Sequence, residues 1–387
     1  MIMQYAVVVP VYNGAKYLES TLLSLFEQSH PAAEVIVVND GSTDETGEIL
    51  QGLATKYERL RVYSFANNVG VSRARNYGIE QAESPWCMLF DADDLADPEL
   101  ARTYSIEWQL ARQTGAEPDM LFCATVLVDG DNRVISGENR FRSVMPDEML
   151  GHLFVRNPIV SCSGVMIRRD AVLSLGGFDP ELRYSEDWEL WLRMAASRVI
   201  RYVDRVLCRI RRHPGNASAS LNRMLNGERQ VLSRYDLSVI REAVFRRNLP
   251  ASRNWIDLAN IAFRIDRWEE GRLFLDQVEE PSSSLDFHQG LYQLKMGRYA
   301  EAADWFRRAI DQDASNAAAA NNYAGCLWRM GRKEEAVQRL QELTQKWPAY
   351  MDAAHNLNIM RSGDEKQDIK FTWRELRRVL TVYEEKE

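Results

Sequence analysis

The chain has 387 residues, of which 45% are hydrophobic and 27% charged, with a formal net charge of −8. This length is more than one compact core usually organises, so a single small module is excluded and we expect two domains. The composition excludes a largely disordered chain, and the acidic balance argues against a general grip on phosphate backbones, so we expect no nucleic-acid partner.

The cysteines and the apolar runs indicate in which cellular compartment the protein is expected. The 5 cysteines lie far apart without a CxxC pair, which favours buried, reduced thiols over a disulfide framework or a zinc site. No apolar run approaches the roughly 20 residues that a membrane-spanning helix needs, and the first residues lack the pattern of a signal peptide. We therefore expect a cytoplasmic protein without a transmembrane segment, and peripheral attachment to the inner face of the membrane stays open.

The N-terminal part of the chain alternates short apolar runs with amphipathic stretches. The apolar runs end near Val9, Val38, Phe65 and Phe90. Their spacing matches that of strand–helix–strand units and predicts a parallel sheet covered by helices, with ligands at the carboxyl ends of the strands. Ser42 and Glu45 have the spacing of a capping box, so we expect the second helix to begin at Ser42.

Polar segments stand where these strands are predicted to end. The most informative is Asp91-Ala92-Asp93-Asp94, directly after an apolar run. Carboxylates two positions apart can converge at a turn and offer the hard oxygen ligands that Mg²⁺ and Mn²⁺ prefer. The bare motif is equally typical of a solvated turn or of a helix N-cap, because Asp97-Pro98 has the pattern of a helix start.

The rest of the chain changes character twice. Residues 120–213 mix apolar runs with a predicted helix over about 186–196, as an α/β domain would. Beyond Pro250 only a helical pattern remains, in which Gly297-Arg298 recurs as Gly331-Arg332 at about 34 residues, the period of tetratricopeptide repeats. A plain helical bundle is the alternative. Ile369, Phe371, Trp373 and Leu376 are predicted to lie on a final amphipathic helix that caps the last repeat rather than anchoring in a membrane.

Several motifs together resemble the family 2 glycosyltransferases with a GT-A fold, over residues 3 to about 220. They are Pro10-Val11-Tyr12-Asn13, the stretches 38–42 and 68–76, Asp91-Ala92-Asp93-Asp94, Gly176-Gly177-Phe178-Asp179, the stretch 185–192 and the stretch 211–218. The resemblance implies a GT-A catalytic domain over residues 1–220. We expect a helical linker over 221–250 and an all-α, tetratricopeptide-like solenoid over 251–387, whose helices stack so that a partner can bind.

The resemblance also implies roles for individual residues. It implies that the nucleotide sugar is held by Pro10, Tyr12, Asp40, Asn68, Arg75, Asp91 and Ala92. It further implies that Mn²⁺ or Mg²⁺ is coordinated by Asp91, Asp93 and His213, and that Asp187 is the general base that activates the acceptor. From the residues alone, Tyr12 and Asp40 are equally turn formers, His213 a structural histidine, and Asp187 an acid at a helix N-terminus capped by Ser185.

The implied reaction is a single displacement in which a nucleotide sugar, UDP-linked, donates its sugar with inversion. The acceptor is a glycan, a lipid-linked molecule or a polypeptide, and the repeats are expected to bind a protein partner or form a homodimer. A competing hypothesis is a non-catalytic, nucleotide-binding adaptor that binds a protein partner through its repeats.

Overall fold

The computed structural model describes residues 3–213, 221–362 and 368–374. The chain divides into two compact units, Met1–Arg247 and Asn248–Glu387. The predicted closing loop over 214–218 and the last part of the predicted C-terminal helix lie outside the described residues. All five cysteines are buried free thiols, as expected. None of the helices in the described ranges is long and apolar enough to cross a bilayer.

The first unit is built on one mixed sheet. Its strands among the described residues are β1 (Tyr5–Val11), β2 (Glu34–Asn39), β3 (Leu60–Ser64), β4 (Trp86–Leu89), β5 (Leu95–Ala96), β6 (Met120–Val128), β7 (Val134–Asn139), β8 (Val165–Arg168) and β9 (Ile200–Arg211). Their order is β3-β2-β1-β4-β8-β6-β9-β5, with β7 beside β6. The first four strands are parallel, as predicted, whereas β8 runs antiparallel to β4 and makes the sheet mixed.

Helices cover this sheet. They are α1 (Leu18–Phe26), α2 (Thr46–Ala54), α3 (Val71–Gln81), α4 (Leu100–Gln113), α5 (Met149–Val155), α6 (Arg169–Ser174), α7 (Glu186–Ser197), α8 (Leu221–Leu232) and α9 (Leu237–Phe245). Strands β1, β2 and β4 are buried at every position, which explains their nearly unbroken apolar runs. Helices α8 and α9 fill much of the predicted linker, but they belong to this compact unit, which extends to Arg247.

The predicted capping box at Ser42 is wrong. Helix α2 begins at Thr46, and Glu45 occupies the N-cap position without a side-chain capping bond. The Ser42 hydroxyl instead accepts a hydrogen bond of 2.9 Å from the backbone amide of Asn13, while the Thr43 amide donates to Asn13 Oδ1. The turn after β2 therefore holds the loop after β1, a contact between distant segments that the local pattern does not reveal.

The second unit is helical. Its helices are α10 (Ala251–Arg264), α11 (Trp268–Leu275), α12 (Ser283–Lys295), α13 (Tyr299–Gln312), α14 (Ala317–Arg329), α15 (Lys333–Lys346) and α16 (Met351–Ser362). The recurring glycines explain the sequence repeat, because Gly297 and Gly331 follow α12 and α14 with positive φ of 72° and 82°. A left-handed residue after a helix is most easily supplied by glycine, so the repeat marks equivalent helix ends.

The predicted C-terminal helix is wrong in its described part. Residues 368–374 form no helix. Ile369 and Thr372 are nevertheless buried. The apolar residues of this segment therefore pack against the repeat helices although the segment itself is not helical.

Candidate active site

Asp40 organises the loop that leads into α3. The residue is buried at the end of β2, and its two carboxylate oxygens accept hydrogen bonds of 2.7 and 2.9 Å from the amides of Val69 and Gly70. These amides lie directly before the helix N-terminus, so the carboxylate is also favourably placed against the helix dipole. The structure thus shows Asp40 shaping the loop, while its expected hydrogen bond to a base stays a prediction.

The expected nucleoside contacts differ in their exposure. Tyr12 is 51% exposed at the end of β1, so its ring is open to a ligand. Pro10 is buried within β1, and Asn68 is exposed in the loop that Asp40 holds. An exposed aromatic ring at a strand end is free to stack on a planar base.

Arg75 joins two motifs that lie far apart in the sequence. This α3 residue is buried; its Nη2 donates to Asp91 Oδ1 and its Nη1 to Glu186 Oε1, each at 2.8 Å. The guanidinium carbon also lies 5.3 Å from the centre of the Phe178 ring. The arginine therefore brings the acidic segment after β4 and the start of α7 to the same place.

The other side of Asp91 is held by a serine pair that sequence reasoning missed. Ser161 Oγ donates to Asp91 Oδ2 at 2.8 Å, and the Asp91 amide donates to Ser163 Oγ at 2.9 Å. Both serines precede β8, which pairs with β4 and so places them beside Asp91. Only the antiparallel pairing reveals this contact, because neither serine belongs to a recognisable motif.

Asp94 is part of the scaffold. It is buried and accepts a hydrogen bond of 2.8 Å from the Arg211 amide at the end of β9, and others from the hydroxyls of Ser161 and Ser163. Burial, with the neighbouring Asp93 and Asp91 carboxylates, raises the pKa of Asp94 well above its ordinary value. The Arg211 guanidinium reaches back to the Asp93 carbonyl, so β9 holds the whole acidic turn.

Asp93 and His213 are in direct contact. His213 Nε2 lies 2.9 Å from Asp93 Oδ2, and the imidazole packs 5.1 Å from the Tyr17 ring, centre to centre. Burial and the Asp91 carboxylate raise the pKa of Asp93, against the opposing effect of His213. The pair offers one oxygen and one nitrogen ligand 120 positions apart in the chain.

The expected metal ion fits this donor set only in part. Both oxygens of Asp91 accept hydrogen bonds from Arg75 and Ser161, and Asp93 Oδ2 and His213 Nε2 are partners of each other. Asp93 and His213 would supply a carboxylate oxygen and an imidazole nitrogen to an ion only in place of this mutual contact. In the described ranges no group of three or more His, Cys, Asp or Glu side chains could hold a metal ion. The residues therefore fit an ion that takes its remaining ligands from phosphate oxygens and water, as Mg²⁺ commonly does.

Asp187 lies in the first turn of α7, where burial and charge alter its protonation. Burial, followed by the neighbouring Glu186 carboxylate, raises the pKa of Asp187 to about 7. Its Oδ1 accepts a hydrogen bond from the Trp188 amide, and the helix buries Trp188 and Trp191 on its inner side. Ser185 occupies the N-cap position with φ 61° but makes no side-chain capping bond, so the expected serine cap does not form.

The α7 helix is linked to α3 through residues 175–178, which precede α7 in the chain. Asn76 donates from Nδ2 to the Phe178 carbonyl and accepts from the Phe178 amide, both at 2.8 Å. Arg193 on α7 donates to the carbonyls of Leu175 and Gly177. Helix α3 therefore positions both Arg75 and the segment that precedes Asp187.

The structure brings the acid-rich residues together and leaves the nucleoside contacts at adjoining strand ends. Arg75, Asp91 and Glu186 form one hydrogen-bonded group, and Asp187 follows Glu186. Asp93, two positions after Asp91, bonds His213. Asp40, Tyr12 and Asn68 surround the ends of β1 and β2. A mixed α/β sheet with carboxylates, buried arginines and an exposed aromatic ring at its strand ends is typical of proteins that bind a ligand at this edge of the sheet.

Comparison with known proteins agrees with this architecture. Residues 6–175 match glycosyl transferase family 2, and residues 293–357 match the tetratricopeptide repeat. The chain is 30% identical over 189 residues to TuaG of Bacillus subtilis (strain 168), which is named for teichuronic acid biosynthesis, covering 49% of this chain and 71% of TuaG. It is 27% identical over 225 residues to a glycosyltransferase, RT0329, of Rickettsia typhi, covering 57% and 67%.

Among solved structures, residues 1–349 of S. aureus TarS in complex with UDP-GlcNAc superpose with a TM-score of 0.52 at 20% identity, covering 85% of this chain and 92% of that one. The likeness confirms the predicted GT-A-like fold followed by helices. The chain belongs to glycosyl transferase family 2, with a tetratricopeptide-like region after the catalytic domain. It is accordingly a nucleotide-sugar glycosyltransferase of this family.

Proposed function

We propose that the protein transfers a sugar from a UDP-linked donor to an acceptor nucleophile, with inversion at the anomeric carbon. The observation that carries the proposal is the Arg75 bridge, because its bonds to Asp91 and Glu186 place the donor-side acids beside Asp187. Donor and acceptor chemistry can therefore meet in one cleft. This arrangement suits a single displacement without a covalent enzyme intermediate.

Asp187 acts on the acceptor. Its pKa of about 7 lets the carboxylate be ionised in part at neutral pH and still hold a proton once it is taken. The carboxylate removes the proton from the acceptor nucleophile as that atom forms its bond to the anomeric carbon. The bond from the anomeric carbon to the diphosphate oxygen breaks, and its electron pair leaves with the nucleoside diphosphate.

The departing diphosphate meets Asp93 and His213. The carboxyl groups of Asp91, Asp93 and Glu186 outnumber the nearby guanidinium groups of Arg75 and Arg211, so a negatively charged donor needs additional positive charge. When bound by Asp93 and His213, Mn²⁺ or Mg²⁺ supplies that charge and stabilises the leaving group. Asp91 accepts hydrogen bonds from Arg75 and Ser161, fixes the position of Arg75, and contacts the ribose of the bound donor.

The nucleoside is held at the ends of β1 and β2. The exposed ring of Tyr12 is free to stack on a base, an interaction worth roughly 1–3 kcal/mol in other proteins. Pro10, Ala92, Asn68 and the Asp40 loop complete this side. The complex of TarS with UDP-GlcNAc supports a UDP-linked donor.

The acceptor is a glycan, a lipid-linked molecule or a polypeptide. A relative named for teichuronic acid biosynthesis supports the first of these. We place the reaction at the inner face of the membrane or in the cytoplasm, where nucleotide sugars and such acceptors meet.

The decisive experiment separates binding from chemistry in Asp187→Asn. This variant should bind UDP, measured by calorimetry with Mn²⁺, within about twofold of wild type. It should lose about 10²- to 10⁴-fold in sugar transfer, followed as UDP release from a panel of UDP-sugars. The matched control is Glu181→Gln, which neutralises an exposed carboxylate shortly before α7 and should retain activity. Transfer by Asp187→Asn at the wild-type rate would place the base elsewhere.

A further inference from the structure

The end of the described chain lies on the helical repeats. Residues 368–374, here called the tail segment, form no helix and contact α14 and α16. The repeat match ends at residue 357, so the tail segment is an addition to the repeats and not one of their helices. Its contacts involve the backbone of two residues at alternate positions.

Asn322 binds both the amide and the carbonyl of Thr372. Its Nδ2 donates to the Thr372 carbonyl at 2.8 Å, and its Oδ1 accepts from the Thr372 amide at 2.7 Å. Asn322 is fully buried in α14. One carboxamide therefore satisfies both polar groups of one peptide residue, as a neighbouring strand would in a sheet.

Asn356 repeats this arrangement on α16. Its Nδ2 donates to the Lys370 carbonyl and its Oδ1 accepts from the Lys370 amide, both at 2.7 Å. Asn321 adds a donor to the same carbonyl at 3.0 Å. Lys370 and Thr372 stand two positions apart, and backbone groups that face the same way at that spacing are typical of an extended chain.

Side chains of the tail segment fill positions between the helices. The Phe371 ring lies so close to α14 that a Cβ on Gly325 would come within 2.5 Å of it. The Thr372 hydroxyl bonds Tyr350 and lies 3.2 Å from Asp352 Oδ2, and the Trp373 ring meets Trp268 at 5.8 Å between centres. The Lys370 side chain is exposed and contributes no such contact.

The tail segment supplies most of the partners of the three asparagines. Asn321, Asn322 and Asn356 are each 0% exposed, and the partners of their carboxamides are chiefly tail backbone groups. With the tail segment in place each carboxamide has its donors and acceptors satisfied, and the paired geometry of Asn322 and Asn356 matches the amide and carbonyl of an extended peptide. Every residue type except proline offers the same amide and carbonyl, so such a site reads backbone more than side chains.

We infer that Asn321, Asn322 and Asn356 form a binding site for an extended polypeptide, and that the tail segment is a built-in ligand that competes for it. A polypeptide from another molecule binds when it displaces the tail segment. The chain's own segment competes strongly, because a tethered ligand has an effective concentration on the order of millimolar. This site does not depend on the proposed sugar transfer, and its test needs no nucleotide sugar.

The test uses the full chain with Lys370→Pro and Thr372→Pro together. Proline removes the two amides that donate to Asn356 and Asn322, which releases the tail segment. The probe is a fluorescent peptide with the sequence of residues 368–374 and neutral ends. Measured by anisotropy, the proline variant should bind this probe at least about tenfold more tightly than wild type does, because the tethered competitor is removed.

Matched controls separate backbone recognition from other effects. Lys370→Ala keeps the backbone amide and should bind the probe as weakly as wild type. A probe methylated on the amide nitrogens that correspond to Lys370 and Thr372 should bind the proline variant at least about tenfold more weakly. Adding Asn322→Ala and Asn356→Ala to the proline variant should remove probe binding.

A second measurement uses the wild-type chain and so does not depend on any variant folding. The amides of Lys370 and Thr372 should exchange hydrogen at least about tenfold more slowly than those of Phe371 and Trp373, read at single-residue resolution. The inference is overturned by equal exchange at the four amides. It is equally overturned if the proline variant, with wild-type circular dichroism, fails to bind the probe, or binds the methylated probe equally well.

Discussion

Arg75 donates a hydrogen bond of 2.8 Å to Glu186, a residue 111 positions farther along the chain. The same guanidinium binds Asp91, so one buried side chain fixes the distance between the donor-side acids and the start of α7. A fork of two donors in one plane is what only arginine can supply here. The Arg75 pair of contacts is therefore the central element of the site and the first subject for mutation.

Replacing Arg75 should lower the stability of the protein as well as inactivate it. Arg75→Ala leaves two partly buried carboxylates unpaired and should lower the free energy of unfolding by about 3–5 kcal/mol. Urea denaturation followed by circular dichroism measures this loss. Arg73→Ala, on the exposed side of α3, is the matched control and should change stability by no more than about 0.5 kcal/mol. A loss of stability in Arg75→Ala as small as that in Arg73→Ala would mean that the Arg75 hydrogen bonds contribute little to stability.

The rate of transfer should depend on pH through Asp187. Because a base accepts a proton only when ionised, kcat/KM should fall about tenfold per unit below the Asp187 pKa of about 7 and level off above it. Glu186→Gln removes a negative neighbour that raises this pKa, so its profile should bend at a lower pH. Rates of UDP release between pH 5 and 9 test both statements, with Glu181→Gln as a control that should not move the bend. An acidic limb that stays in place in Glu186→Gln would assign it to another group.

Substitutions of the neighbouring residues Asp93 and Asp94 should affect different properties, ligand binding in the first case and stability in the second. Asp93→Asn should weaken Mn²⁺-dependent UDP binding at least about tenfold with little loss of stability, since Asp93 contacts His213 at the cleft. Asp94→Asn puts an amide donor among the hydroxyls and the amide that donate to Asp94, and should cost about 1–3 kcal/mol of stability. Calorimetry with and without Mn²⁺, and urea denaturation, separate the two effects. UDP binding by Asp93→Asn that keeps its full response to Mn²⁺ would remove Asp93 from the site.

Gly41 should be intolerant of a side chain. Its φ is 71°, and an added Cβ would lie 2.5 Å from the Asn67 backbone carbon, in the turn between Asp40 and the loop it binds. Gly41→Ala should therefore lower both stability and UDP affinity, the former by about 1–3 kcal/mol. Gly47→Ala in α2 is the control, because an added Cβ meets nothing within 4 Å, and it should be neutral or stabilising by up to about 1 kcal/mol. Thermal denaturation and calorimetry measure both variants, and a Gly41→Ala protein as stable as wild type would contradict the expectation.

Residues close together in the sequence were the most predictable. The apolar runs before Val9, Val38 and Phe90 mark β1, β2 and β4, because a strand buried on both faces must be apolar along its length. The repeated glycines mark equivalent helix ends, since a left-handed residue is needed there. The composition and these patterns were enough for an α/β domain followed by helical repeats.

Contacts between distant segments decided the rest. Ser42 has the spacing of a capping residue but bonds Asn13. The tail segment belongs to a predicted helix, but its backbone forms no helix and binds Asn322 and Asn356. Ser161 and Ser163 belong to no motif and reach Asp91 only because β8 pairs with β4. The local sequence pattern therefore predicts which side chains of a segment are buried. It does not predict their hydrogen-bond partners, because those partners come from distant segments that only the tertiary structure brings within reach.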